Sequence, residues 1–439
     1  MLAPLYTADE MRAAEQGHDV EVLMERAGRA VAETVLRRFP DAERIAGVCG
    51  QGANGGDGRI ALRVLAEAGR ETSEELVPDA DVVIDALFGT GFHGEPRPDA
   101  AALIERINGA QVPVVAVDVP SGVDASTGEV TGVAVRAAVT VTMHGPKVGL
   151  VVAPGRYHAG EVEIADIGLE HRETSHSLVT EEILRLVPRR EEGDTKYTAG
   201  SVLVVGGSPG MTGAVCLAAG AAFRADAGYV AVAVPEASLP VVETLLVEAV
   251  KAPRDRVDEL AARASALAIG PGLGRGDEER ELVRRLLAEL RLPAVVDADA
   301  LFELEPGEWP APRVLTPHAG ELGRLIDEDS SWVDAHRLEA LGRAVARYRC
   351  VVLLKGPDTL VGAPGEGVLV CTAGTAALAT AGTGDVLTGV IASFLSKRME
   401  PRLAAAAAAT AHGRAAELAP DQVGLVASDV VESLPLALS

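Results

Sequence analysis

Short runs of branched apolar residues recur along the chain, each followed by a turn rich in glycine or aspartate and then by apolar positions at helical spacing. In the first half the strand-like runs are Arg44–Cys49, Val82–Ala86, 113–118, 138–143 and 160–166, with helical patterns at 53–68 and 100–107. Strands that are apolar throughout, separated by helices, predict a parallel sheet covered on both faces. A polar stretch at 170–195 breaks the rhythm and reads as a short helix plus a linker. The alternation then resumes with Ser201–Val205, Tyr229–Val234, Ala266–Ile269, 294–297, 313–316 and Val351–Leu354, and closes on an alanine-rich helix at 403–417 suited to close packing. The expected fold class is therefore α/β twice over: one domain at 1–172, a linker at 173–195 and a second domain at 196–439.

Composition narrows the field. Of 439 residues, 48% are hydrophobic and 24% charged, as in globular chains able to bury a large core. The net charge of −24 argues against nucleic acid or an anionic membrane as the main partner. The first fifteen residues read as a lead into a helix rather than a signal peptide, and no apolar stretch reaches the ~18 residues of a membrane span; a cytoplasmic protein is expected, and a homo-oligomer. Cys49, Cys216, Cys350 and Cys371 are far apart in sequence, so buried free thiols are expected rather than a disulfide framework or a zinc site.

The densest candidate chemistry is Thr380-Ala381-Gly382-Thr383-Gly384-Asp385-Val386-Leu387-Thr388-Gly389, a glycine turn and a carboxylate opening an apolar helix. Amides at a helix N-terminus carry partial positive charge and can hold a phosphoryl group. Asp385 either caps that helix or takes a proton from an acceptor hydroxyl. Four further segments end strands of the same half. Gly206-Gly207-Ser208 runs on toward Gly213-Ala214, and Gly270-Pro271-Gly272-Leu273-Gly274 follows an apolar run. His318 sits in Thr316-Pro317-His318-Ala319-Gly320-Glu321. Lys355 follows four apolar residues and leads into Gly356, Pro357, Asp358 and Thr359, which suits phosphate or nucleotide contact.

Taken in order, Val-Val-Gly-Gly-Ser at 204–208, Gly-Pro-Gly-Leu-Gly at 270–274, Asp-Ala-Asp-Ala-Leu at 297–301, Thr-Pro-His-x-Gly-Glu at 316–321, Lys-Gly-x-x-Thr at 355–359 and Gly-Thr-Gly-Asp at 382–385 resemble the ADP-dependent NAD(P)H-hydrate dehydratase family. The resemblance implies a ribokinase-like fold over most of 190–439. It implies that Gly213, Ala214, Gly272, His318 and Asp385 contact the hydrated dinucleotide, and that Lys355, Gly356, Pro357, Asp358, Thr359 and Gly384 contact ADP, with Mg²⁺ on the nucleotide phosphates. Asp194-Thr195-Lys196 departs from the family, which usually has a histidine before the lysine. The implied reaction is chemically sensible. Hydroxide leaves the reduced ring poorly; once phosphorylated, it leaves as phosphate, pushed out by the ring nitrogen. Asp385 would take the hydroxyl proton, and the amides of Gly382, Thr383 and Gly384 would stabilise the transferred phosphoryl.

In the first half, strand Arg44–Cys49 runs into Gly50-Gln51-Gly52-Ala53-Asn54-Gly55-Gly56-Asp57-Gly58, similar to a dinucleotide fingerprint without its strict spacing, so a Rossmann-like three-layer domain is expected. Asp85, Asp118, Asn54 and Ser121 all fall at strand ends, and oxygen donors of low total charge suit an alkali cation. Asn-Gly-Gly-Asp-Gly at 54–58, Asp-Ala-Leu-Phe-Gly-Thr-Gly at 85–91, Asp-Val-Pro-Ser-Gly-Val at 118–123 and Pro-Lys-x-Gly-Leu at 146–150 resemble the NAD(P)H-hydrate epimerase family. By that resemblance Asn54, Asp85 and Ser121 are K⁺ ligands. Hydrate binding falls to Ala53, Asn54, Gly55, Gly56 and Asp57, to Gly89, Thr90, Gly91, Phe92, His93, Gly94 and Glu95, and to Asp118. Ala53 stands where the family usually has Asn. Asp118 is the acid/base candidate, the alternative being a carboxylate that only orients ribose or the cation.

The two resemblances imply a bifunctional repair enzyme for hydrated NADH and NADPH: one domain interconverts the R and S forms, and the other dehydrates the S form with ADP. The alternatives are a ribokinase-like kinase of a small alcohol with a regulatory N-terminal domain, and a first domain that only binds ligand.

Overall fold

The computed structural model describes residues 1–170 and 172–439. By internal contacts the chain divides into two compact units, Pro4–Ser177 with Asp334–Arg337, and Met1–Ala3 with Leu178–Val333 and Leu338–Ser439. Among the described residues no helix is long and apolar enough to cross a membrane.

The chain opens on β1 (Leu2–Leu5). The first unit then builds its sheet from β2 (Arg44–Cys49), β3 (Glu71–Ser73), β4 (Val82–Ala86), β5 (Val114–Val117), β6 (Val139–Met143) and β7 (Glu161–Ala165). These strands are all parallel, in the order β3-β2-β4-β5-β6-β7. Every residue of β4, β5 and β6 is buried, and β5 is apolar throughout, whereas β4 carries Asp85 and β6 alternates valine with the buried Thr140 and Thr142. The helices Val20–Arg38 and Ala53–Glu67 pack on one face, and their approach depends on Gly28, where a Cβ would stand 2.5 Å from the Ile60 side chain.

The second unit continues with β8 (His176–Val179), β9 (Ser201–Val205), β10 (Tyr229–Val234), β11 (Val250–Pro253), β12 (Ala266–Ile269), β13 (Ala294–Val296), β14 (Arg313–Leu315), β15 (Val351–Leu354), β16 (Thr359–Gly362) and β17 (Leu369–Cys371). Its sheet runs β1-β8-β17-β16-β15-β14-β13-β12-β9-β10-β11. The strands from β15 through β11 are parallel, whereas β16 and β17 return antiparallel. The sequence reading has no such hairpin, because it expects helices between strands. Only Lys355, Gly356, Pro357 and Asp358 separate β15 from β16, too few for the crossover a parallel neighbour requires.

Two local expectations change. The lead before the first helix holds strand β1, and the 170–195 stretch holds strand β8 and the single-turn helix Glu181–Leu186. Both strands are short and lie at one margin of the larger sheet, where little burial is needed and the apolar signal is weak. Ala404, Ala405, Ala406, Ala407, Ala408 and Ala409 are all buried in the helix Pro401–Glu417. Beside it, the helix Thr383–Ser396 lies so close to the helix Thr212–Arg224 that a Cβ on Gly389 would stand 2.1 Å from the Ala218 carbonyl oxygen.

Candidate active sites

In the first unit the strand order turns back between β2 and β4, and open α/β sheets bind ligands beyond the strand carboxyl ends at such a switch point. A cavity of about 920 Å³ lies there, lined by Ala53, Asn54, Asp57, Gly89, Thr90, Gly91, Phe92, His93, Glu95 and Asp118, with Glu15 and Cys49 joining them. Gly55 and Gly56 stand behind this wall: a Cβ on them would meet the Gly50 carbonyl oxygen at 1.9 Å and Met24 Cε at 2.0 Å. Gly94 is outside the lining and adopts a left-handed turn, φ +75°.

Asp85, Ser121 and Asn54 come together through the backbone of Phe88. Ser121 Oγ donates to Asp85 Oδ1 at 2.6 Å and Ser121 N to Asp85 Oδ2 at 2.8 Å. Phe88 N donates to Ser121 Oγ at 2.8 Å, and Asn54 Nδ2 donates to the Phe88 carbonyl at 2.7 Å. Asp85 is fully buried, and burial pushes its carboxyl up to about 6 although the Ser121 and Leu87 hydrogen bonds pull it down. No lysine or arginine ion-pairs with Asp85 among the described residues. A buried carboxylate without a cationic side chain, beside a hydroxyl, an amide and a backbone carbonyl, fits a weakly held alkali cation.

Asp118 follows β5 with φ +66°, a conformation rare for a residue with a side chain. Its Oδ1 accepts from Met143 N at 3.1 Å, from Thr142 Oγ1 at 3.2 Å and from the Lys147 ammonium. Lys147 is fully buried and also donates to the Met143 carbonyl at 2.8 Å. Asp118 thus has a buried cationic partner in direct contact. Asp57, one turn into the helix Ala53–Glu67, has different surroundings. It is 9% exposed, its Oδ1 has no hydrogen-bond partner, and burial, followed by the charges of Asp118 and Glu15, pushes its carboxyl up to about 8. Burial, then Asp118, also raises Glu15. Cys49 stays a thiol, pushed by burial to about 11.

The second unit has its switch point between β9 and β12. Gly213 and Ala214 open the helix Thr212–Arg224 after β9, and an added Cβ on Gly213 meets nothing within 4 Å, leaving backbone open to a ligand. Gly272, after β12, adopts φ +56°, and a Cβ there would meet the Met211 carbonyl at 2.4 Å, so it closes the same edge. His318 is more than half exposed and caps the helix Ala319–Ile326: its Nδ1 accepts from Gly320 N at 3.0 Å, leaving Nε2 outward.

Asp385 lies on the first turn of the helix Thr383–Ser396, which starts from Gly382 at φ +91°. Burial, followed by the charge of Asp297, pushes Asp385 up to about 7 although Lys355 pulls it down. Lys355, on the β15–β16 turn with Gly356, Pro357, Asp358 and Thr359, places Nζ 2.8 Å from Asp297 Oδ1 and 3.9 Å from Glu321 Oε2. Burial pulls its ammonium down, but the carboxylates of Asp297, Glu321 and Asp385 outweigh that and raise it. Nζ also lies 3.4 Å from where a Cβ of Gly384 would be, so a lysine ammonium faces the glycine turn. Thr388 Oγ1 donates to Asp297 Oδ2 at 2.7 Å and fixes that buried carboxylate from below.

Four residues of the two sites carry no role in the sequence reading: Asp297, Glu321 and Thr388 in the second unit and Lys147 in the first. Asp297 and Lys147 stand inside quoted motifs, and the usable signal was a charged residue next to an apolar run. Glu15 and His412 give no such signal. His412 is buried in the helix Pro401–Glu417, and burial pushes its ring down to about 4, keeping a neutral imidazole beside the Thr383 backbone.

Both halves also match known families. The sequence profile described as NAD(P)H-hydrate dehydratase matches residues 202–435, and the YjeF-related protein N-terminus profile matches 20–73 and 69–149. A bifunctional NAD(P)H-hydrate repair enzyme of Moorella thermoacetica is 38% identical, over 95% of this chain and 92% of that protein. The chain belongs to the bifunctional NAD(P)H-hydrate repair enzyme family. A member from Escherichia coli is 31% identical over 98% of this chain and 93% of its own length. The ADP/ATP-dependent NAD(P)H-hydrate dehydratase of Bacillus subtilis, co-crystallised with ATP and Mg²⁺, superposes with a TM-score of 0.55 at 31% identity, covering 59% of this chain and 96% of that one. A ribokinase-like superfamily protein of Enterococcus faecalis superposes with a TM-score of 0.54 at 22% identity, covering 61% of this chain and 97% of that one, so the second unit has the ribokinase-like fold, and membership in a repair family disfavours the small-alcohol kinase.

Proposed function

We propose that the chain repairs hydrated nicotinamide dinucleotides in two steps, on domains at 1–172 and 196–439 joined by 173–195. The first domain interconverts the R and S hydrates of NADH and NADPH. The second dehydrates the S form with ADP, giving AMP and phosphate. The observation that carries the second step is the approach of Asp385, Lys355 and the Gly382–Thr383–Gly384 turn to one another. Asp385 takes the proton of the ring hydroxyl, and a carboxyl poised near 7 is matched to that task. The turn amides and the Lys355 ammonium stabilise charge on the phosphoryl group as it moves.

Lys355, Gly356, Pro357, Asp358, Thr359 and Gly384 hold the ADP in this reading, while Gly213, Ala214, Gly272 and His318 hold the hydrate. Mg²⁺ rides on the nucleotide phosphates, where it neutralises charge; Asp297 and Glu321 are the nearby oxygen donors. In the first domain Asn54, Asp85 and Ser121 hold K⁺, which supplies a fixed positive charge beneath the cavity, and the cavity residues hold the hydrate. Cytoplasmic residence, which the acidic composition fits, and self-association belong to the same proposal.

The test is to incubate the full chain with both hydrates, once with ADP and once with ATP, following the return of reduced-nicotinamide absorbance. Full recovery requires both activities. Recovery of the S fraction alone defeats the epimerase assignment, and no recovery defeats the dehydratase assignment.

A further inference from the structure

Five carboxyls line the first-unit cavity, those of Glu15, Asp57, Glu95, Asp99 and Asp118, and they are not equivalent. Asp118 is committed to Lys147 by direct contact and to Met143 N and Thr142 Oγ1 besides. Glu15 and Asp57 share the cavity wall with it. Asp57 is the deepest of the three, and one of its carboxyl oxygens has no partner in the protein. A buried carboxylate without a cation or a donor is costly, so such a group holds its proton until something accepts it. Two neighbouring negative charges keep it that way.

We propose that Asp57 is the proton carrier of epimerisation, with Asp118 and Glu15 as the fixed charges that stabilise a cationic ring. The inference rests on the epimerase reading of this cavity. In the forward half-step the ring nitrogen's lone pair forms a double bond to the hydroxyl-bearing carbon as its C–O bond breaks. The departing oxygen takes the Asp57 proton and leaves as water, and Asp57 becomes a carboxylate. The ring now carries one positive charge, facing the carboxylate of Asp118. Water then adds to the opposite face of the same carbon, the double-bond pair returns to nitrogen, and the surplus proton returns to Asp57. Atoms and charge balance with water as the only co-reactant. This divides the work: a carboxylate locked to Lys147 is a poor proton donor and a good counter-charge, while a buried neutral carboxyl is the reverse. The carboxyl's rise to about 8 agrees with this division.

The experiment compares wild type, Asp57→Asn and Asp57→Glu in the full chain, measuring R-to-S interconversion directly by chromatography of the two hydrates, with ADP-dependent dehydration of the S hydrate as the internal measure of folding. The expected result for Asp57→Asn is a fall in epimerisation kcat of about 100-fold or more with dehydration unchanged, and partial rescue by Asp57→Glu. In wild type, epimerisation falls as pH rises above about 8, since the proton is then lost before it is needed. An Asp57→Asn protein that keeps kcat within tenfold while KM rises makes Asp57 a binding group and overturns the proposal. Wild-type protein that does not interconvert the hydrates at all overturns the epimerase reading instead, which keeps the two failures apart.

Discussion

Lys355 Nζ lies 2.8 Å from Asp297 Oδ1, and this ion pair leaves Asp385 with a lysine that is already engaged. Burial first, and then the negative charge of Asp297, hold Asp385 near 7 instead of in the ordinary carboxylate range, against the pull of Lys355. Asp385→Asn keeps the shape of the first helical turn but cannot take a proton. Dehydration of the S hydrate is expected to fall by a factor of about 10² to 10⁴, the usual worth of a positioned base, with hydrate interconversion unchanged. Steady-state assays of both activities on one preparation check this, and substantial dehydration by the variant would remove Asp385 from the role.

The same placement fixes the pH dependence of the second site. A base that ionises near 7 gives a kcat/KM for dehydration that climbs through that pH and levels above it, opposite in sense to the epimerisation limb falling above about 8. Asp297→Asn removes the charge that raises Asp385 and frees Lys355 toward it, so the midpoint of the dehydration limb is expected to move to lower pH. A pH–rate profile with an unmoved limb would assign the ionisation to another group.

Stability carries the opposite sign. Asp57, Asp85 and Asp385 all bind their protons more tightly in the folded chain than at the ordinary aspartate value of 3.8. The folded state therefore takes up more protons than the unfolded one between about pH 4 and pH 8, and its stability falls as pH rises through that window. Equilibrium denaturation at pH 5 and pH 8 is expected to show the loss, and the triple Asn variant to show a smaller one.

How much of this was legible in the sequence depends on what kind of contact makes the site. Val82–Ile84 and Val351–Leu354 announce buried parallel strands because such short branched apolar runs bounded by turn signals have few other uses. Asp85 and Lys355 are legible for the same reason, as charges standing in or directly after such runs. The different surroundings of Asp57 and Asp118 were not, because both are aspartates following glycine-rich or strand-end signals. What divides them is Lys147, 29 positions beyond Asp118 and brought to it by the β5–β6 crossover. Glu15 likewise enters the cavity from a helix whose sequence is ordinary. Strand-end motifs locate a site; long-range pairing sets its charges.

Lys147 makes that argument measurable. Replacing it with Met leaves Asp118, whose side chain is 13% exposed, without its cation in a nearly dry setting. Breaking one side of a buried pair costs about 3 kcal/mol or more. The double variant Lys147→Met with Asp118→Asn removes the orphaned charge, so it is expected to be more stable than Lys147→Met alone. Urea denaturation of the four proteins closes the cycle, and additive effects would show that the two side chains do not depend on each other.

The cation assignment can be separated from the chemistry by a binding measurement. Asp85 is fully buried, its close donors among the described residues are Ser121, through Oγ and N, and Leu87 N at 3.3 Å, and burial holds it near 6. At pH 7.5 it is largely ionised, so the folded chain bears the cost of a buried carboxylate that an alkali cation would offset. Anything that binds only the folded state raises its melting temperature by mass action. Adding K⁺ at constant ionic strength, balanced with tetramethylammonium, is expected to raise Tm of the first unfolding step in wild type. Asp85→Asn removes the charge that attracts the cation and should abolish the K⁺ response while stabilising the cation-free protein at that pH. Ser121→Ala removes the hydroxyl that donates to Asp85, and is expected to lower Tm and to weaken the response without abolishing it, because the carboxylate and the Phe88 carbonyl remain. A K⁺ response that survives unchanged in Asp85→Asn would place the cation elsewhere in the chain.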